Sequence, residues 1–130
     1  MATDLTLAAV SQTAEMALFG PCTWSAFDTQ TAATTTAVHT GVANKQHELY
    51  KVVVSFSAAP AGPLILLIKD GTTTIGRAEI PASATSPVAL DFGLRPLTAA
   101  IGADISATVA SAGGSTVQTV WMMGTSIRAA

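Results

Sequence analysis

At 130 residues the chain is the size of one ordinary domain, with little room for a second independent core. Hydrophobic residues are 49% and charged residues only 11%, against a globular average of about 25% charged, and mean hydropathy is +0.48, which excludes a disordered tail. A net charge of -2 and a pI of about 5.4 provide no positive field to hold phosphates, so nucleic acid is not an expected partner; one cysteine excludes an intrachain disulfide framework and a cysteine-rich zinc site.

The start, Met1-Ala2-Thr3-Asp4, lacks a basic leader, and Asp4, Gln12 and Glu15 interrupt any signal-type apolar core, so Sec export is not expected. The longest apolar run, Pro63 to Ile68, is far below the roughly 18 to 20 residues of a membrane-spanning helix, and no membrane partner is expected. Residues 1–20 fit neither a clean strand nor a clean helix and read as an extended N-terminal arm, ended by Gly20-Pro21; residues 21–130 read as the folded domain. Cys22 to Phe27 reads as a first strand or an anchor for the arm. The β-branched run Thr31 to Thr40 reads as a strand.

The most regular stretch begins at His47, where Val52, Val54 and Phe56 fall on one face and Lys51, Val53, Ser55 and Ser57 on the other. After the turn Ala59 to Pro63, Leu64, Leu66 and Ile68 alternate with Ile65, Leu67 and Lys69. Two apolar faces predict a central strand or one covered on both sides. Asp70-Gly71 is a hairpin signal, with Thr72 to Ile80 as the returning strand. Pro81 to Pro87 is a loop, Val88 to Phe92 a strand, and Gly93 to Pro96 a turn. Ala100 to Ala110 alternates through Ile101, Ala103, Ile105, Ala107 and Val109 until Gly113-Gly114 closes it. Thr116 to Arg128 places Val117, Thr119, Trp121 and Met123 opposite Val120 and Met122. Strands punctuated in this way predict an all-β, antiparallel sandwich or barrel.

No residue set converges on a reaction, and the chain is not expected to be an enzyme. His39 and His47 would have to meet across a hairpin to hold a metal, and neither has a carboxylate or cysteine at ligand spacing, so no metal or cofactor is expected. Cys22 with a histidine lacks an orienting third group. Asp70 is explained by its turn and Asp91 by the polar side of a strand. Gly71, Gly76, Gly113 and Gly114 do not build a phosphate loop. Trp24, Trp121, Phe19, Phe27 and Tyr50 are the rings available for a sugar platform, although a domain this size needs aromatic residues for its core.

Consecutive strand residues point to opposite faces, so at least one of Trp121, Met122 and Met123 must leave the interior. Charge is scarce, and a two-sheet sandwich has only one interior for its apolar faces. Assembly is the expected solution. The interface residues expected are Leu5, Leu7, Met16 and Leu18 of the arm, with Trp121 and Met122 of the last strand. Threonine hydroxyls can wet an outer face without charge.

The stretch from Glu48 to Ala110 resembles the small Ala/Thr/Gly-rich β-proteins of tailed-phage virions. The likeness to head decoration, or cement, proteins lies in the SFSAAPAGP turn (55–63), the IKDG hairpin (68–71) and the VALDF strand (88–92). It implies a jelly-roll-like sandwich, a homotrimer made in the host cytoplasm and carried on the virion's capsid surface, with the major capsid protein as partner. The rival expectation is a carbohydrate-binding sandwich of a tail fibre or spike.

Overall fold

The computed structural model describes residues 23–83, 87–92 and 94–128. Among these, nine strands and no helix form: β1 (Trp24–Thr31), β2 (Thr35–His39), β3 (Lys45–Phe56), β4 (Leu64–Asp70), β5 (Thr73–Ile80), β6 (Val88–Asp91), β7 (Leu97–Thr98), β8 (Ile105–Val109) and β9 (Val117–Arg128). Sheet A has the order β1-β9-β3-β6, with β7 also paired to β3; sheet B has the order β2-β8-β4-β5. Every pairing is antiparallel. The first strand lies beside the last and the second beside the last but one, so the chain wraps as two Greek keys. That is the jelly-roll sandwich implied by the resemblance.

Alternation fills the space between the sheets. Val52, Val54, Val120 and Met122 of sheet A meet Leu66, Ile68, Ile105 and Val109 of sheet B in one core, all at or near zero exposure. Strand β4 is central in its sheet, as its two apolar faces predict, and its outer side is open, with Ile65 exposed. Among the described residues only β4 and β5 form a tight hairpin within one sheet. Gly71 takes the positive φ of 58° that the Asp70-Gly71 signal requires, although the returning strand starts at Thr73.

Three expectations are corrected. The run Thr31 to Thr40 is not one strand: β1 extends to Thr31, Ala32 turns at φ 52°, and β2 begins in the other sheet at Thr35. The segment Ala100 to Asp104 is a turn, with Ala103 N–H donating to Ala100 O, Gly102 N–H to Lys45 O, and Gly102 at φ 77°. The strand therefore starts at Ile105, and Ile101 is exposed. Met122, expected at an interface beside Trp121, is fully buried because its position on β9 faces sheet B. The arm residues Leu5, Leu7, Met16 and Leu18, with Phe19 and Cys22, lie outside the described residues.

Strand β3 carries a bulge that the sequence pattern did not show. Leu49 pairs with Gly124 and Lys51 with Met123, leaving Tyr50 as the extra residue. Beyond the bulge the inward positions are even, Val52 and Val54; before it they are odd, His47 and Leu49. That switch buries a histidine.

The loop joining β8 to β9 is held by a buried amide. Gln118, with no exposed surface, accepts from Ala112 N–H through Oε1 (2.7 Å) and donates from Nε2 to Ala110 O (3.0 Å). Replacing Gln118 by Leu keeps the volume but orphans both backbone groups, at about 1 to 3 kcal/mol for each that stays dry. Urea unfolding of Gln118→Leu is expected to show a loss of about 2 to 6 kcal/mol, the sum over the two groups, with an unchanged m-value; a loss below about 0.5 kcal/mol would mean that water replaces the amide.

Candidate functional site

The two outer faces of the sandwich differ in chemistry. On sheet B, register places Thr36, Thr108, Leu67 and Arg77 in one row, and Val38, Ser106, Lys69 and Thr74 in the next. The Thr36 and Thr108 hydroxyls hydrogen-bond at 2.7 Å. Hydroxyls and long charged side chains wet this face around its apolar members, as the threonine-rich composition leads one to expect.

On sheet A, register lines up Phe27 of β1, Trp121 of β9, Val53 of β3 and Ala89 of β6. Phe27 is 70% exposed and Trp121 37%. Cross-strand neighbours of this kind stand about 5 Å apart at Cβ, so the rings flank one another on a broad sheet surface. One neighbouring row holds Thr29, Thr119 and Ser55, with the two threonine hydroxyls 2.9 Å apart. The other holds Ser25, Met123, Lys51 and Asp91. Within these three rows charge enters only in the last, where Lys51 and Asp91 are register partners of opposite sign; further along the same face Glu48 pairs with Thr125 and accepts from its hydroxyl.

Of the six interface residues expected, Trp121 therefore stands on the surface and Met122 does not, while the four arm residues fall outside the described residues. By sequence Phe27 is a ring at the end of the first-strand segment and a candidate for a sugar platform. Its place beside Trp121 follows from the pairing of β1 with β9, which joins two residues separated by most of the chain. Tyr50 sits at the bulge, and Trp24 faces inward.

That inward tryptophan gathers both histidines. The Trp24 indole stacks on the His39 ring, with centroids 4.1 Å apart and planes at 12°; His39 lies 4.1 Å from His47, and Trp24 meets His47 edge-on at 6.0 Å. The histidines meet between sheets, not across a hairpin, because β2 and β3 belong to opposite layers. His47, 1% exposed, uses both nitrogens: Nε2–H donates to Thr40 O at 2.9 Å, and Nδ1 lies 2.6 Å from Ser126 Oγ. The carbonyl can only accept, so neutral His47 carries its proton on Nε2 and accepts from the serine hydroxyl at Nδ1. Neither nitrogen is left for a metal. Among the described residues no three His, Cys, Asp or Glu side chains come together as a metal site.

Three carboxylates hold backbone together. Asp28 Oδ2 accepts from Thr36 N–H at 3.0 Å, bridging the edges of the two sheets; Asp70 Oδ2 accepts from Ala100 N–H at 2.9 Å; Asp104 Oδ1 accepts from Gly41 N–H.

No family model matches the chain, and no curated protein matches it. A solved structure that aligns with it is "Carbohydrate-Binding Module CBM36 in complex with calcium and xylotriose", at 18% identity over 78% of this chain and 88% of the other, with a TM-score of 0.39.

Trp24 sits on Gly124, its register partner, where a Cβ would run into the Glu48 carbonyl and the indole ring. The Gly124→Val variant is expected to lose about 1 to 3 kcal/mol in chemical denaturation and to change Trp24 emission, because the clash falls on backbone. Unchanged stability would show that the ring can move away at no cost.

Proposed function

We propose that this chain is a non-enzymatic structural protein of a tailed-phage virion. It is read as a head decoration protein that assembles as a homotrimer and seats the outer face of sheet A on the shell built by the major capsid protein. The observation that carries the reading is the Phe27, Trp121, Val53, Ala89 row, which sets two large rings on the outer face of sheet A, where the two described rows of sheet B's outer face carry none. Large exposed apolar patches mark contact surfaces on soluble proteins, and aromatic side chains dominate the energetic centres of interfaces. The jelly roll suits the role, being common in viral capsid and lectin domains, but function is argued from the face and from the sequence resemblance.

The physical effect is linkage. A protein that binds the assembled shell and not its separated subunits stabilises the shell by its binding free energy, about 2.7 kcal/mol per site when its free concentration is a hundredfold above Kd. The expected outcome is co-sedimentation with heads stripped of decoration, together with a higher temperature of head rupture. A Phe27→Lys, Trp121→Lys double variant is expected to lose at least tenfold in head binding while unfolding at nearly the wild-type temperature, since exposed positions contribute little to the core. A chain that stays a 13.1 kDa monomer at micromolar concentration and ignores heads would overturn the reading.

A second reading rests on the same rings. Phe27 and Trp121, set side by side and flanked by the Ser25, Thr29 and Thr119 hydroxyls, form a surface on which a sugar ring can stack and hydrogen-bond. Binding on a glycan array that Trp121→Ala abolishes and Trp24→Ala spares would favour this carbohydrate-binding role over a protein contact.

A further inference from the structure

The Trp24, His39 and His47 cluster lies where residues 1–22 join the fold, and nothing in the outer-face reading uses it. We propose that the three rings form an acid-released latch: neutral His39 holds the start of β1 against the ends of β2 and β3, and protonation of His39 frees it. This inference is independent of the outer face and stands whether or not the virion reading does.

Three elements meet at the latch. Trp24 is the first residue of β1, His39 the last of β2, and His47 the third of β3. His39 stacks on the indole and touches the His47 ring, so it bridges the sheets where β1 begins. The same end is also fastened by the Thr23 N–H to Gly124 O bond at 2.7 Å and by the ladder to β9, which begins at Trp24 opposite Gly124. The Trp24 Nε1–H is buried and has no acceptor among the described residues, so its seat depends on ring packing.

Among the described residues, the rings packed against His39 offer its proton no counter-charge. From β1 the facing group is the uncharged indole. From β3 it is His47, both of whose nitrogens are engaged, with Lys45 two residues back at the exposed end of that strand. Glu48 turns the other way and accepts from Thr125 Oγ1. From β8 the register partner is Ile105; Asp104 before it is a charged carboxylate whose Oδ1 is turned to Gly41 N–H. From β9 it is Ser126, bonded to His47, with Arg128 two residues on. The indole face itself favours a cation. Burial, and after it the repulsion from His47, outweigh that preference and hold His39 below its ordinary value of 6.5.

The sign follows from linkage. An unfolded or released His39 binds its proton more tightly than the latched one. The stabilisation is therefore fully present above pH 6.5 and is lost as pH falls from there through the lower value of the latched ring.

Two measurements on the full chain test this. Imidazole NMR is expected to place the His39 midpoint below 6.5, and hydrogen-exchange protection at Thr23, Trp24 and Ala26 is expected to fall at least fivefold through that titration while protection at Val52 and Val54 holds. In a Trp121→Phe background, Trp24 emission should change over the same range, and His39→Gln, neutral throughout, should abolish both responses. A midpoint at or above 6.5, protection that does not change, protection lost equally from the core strands, or an emission change that survives His39→Gln would each overturn the latch. Should His39→Gln fail to fold, the NMR and exchange measurements on the unmodified chain decide.

Discussion

The antiparallel pairing of β3 with β9 is the constraint on which the other features depend. Both strands are 12 residues long, and they run side by side at the centre of sheet A from Lys45 opposite Arg128 to Phe56 opposite Gln118. Their inward side chains, Leu49, Val52 and Val54 with Val120 and Met122, supply sheet A's central share of the core. A slip of one residue would turn all of these outward and drive Trp121 and Thr119 into the interior, so burial enforces the register. The bulge at Tyr50 satisfies two demands at once. It keeps the backbone ladder running and shifts the inward set between even and odd positions, which carries His47 inside.

From that pairing the outer face follows. Once Val120 and Met122 point in, Trp121 must point out, and the neighbours on either side, Phe27 and Val53, are the residues that register brings level with it. The row is therefore a by-product of core packing in position but not in composition. Threonine or serine at Phe27 and Trp121 would satisfy the strand equally well, as the opposite sheet shows with Thr36, Ser106 and Thr108. Hydroxyls line both faces; keeping two large rings in water on one of them is what sets the faces apart and underlies the proposed contact.

Polar side chains, buried and exposed, are used for fastening. Gln118 holds the β8 to β9 loop, Asp28 bridges the sheet edges, and Asp70 and Asp104 each take a backbone amide. With so few charges in the chain, these carboxylates are committed to the scaffold. The histidine pair is different in kind. His47 is fully hydrogen-bonded, whereas His39 is held by ring contacts, and a titratable group held that way makes its contact depend on its charge.

Much of the strand inventory was legible in the residues. Alternation marked β3, β4, β6 and β9, Asp70-Gly71 marked the tight hairpin, and strands separated by recurring turn signals marked the class. Local pattern reports which side of a strand is apolar, because the side-chain period is a property of the backbone. It could not report the break at Ala32, where a β-branched run crosses from one sheet to the other, nor the turn at Gly102, where alternation continues without a partner strand. The arm and its leucines stand outside the described residues, so sequence alone speaks for them. Neither the bulge at Tyr50 nor the meeting of Trp24, His39 and His47 leaves a local mark, since each exists only through pairing between strands distant in the chain. The alphabet of faces is thus written residue by residue; which faces meet, and which aromatic rings share a surface or a cavity, is decided by the wrapping of the two sheets, where burial energy selects one register among many that local preference would allow.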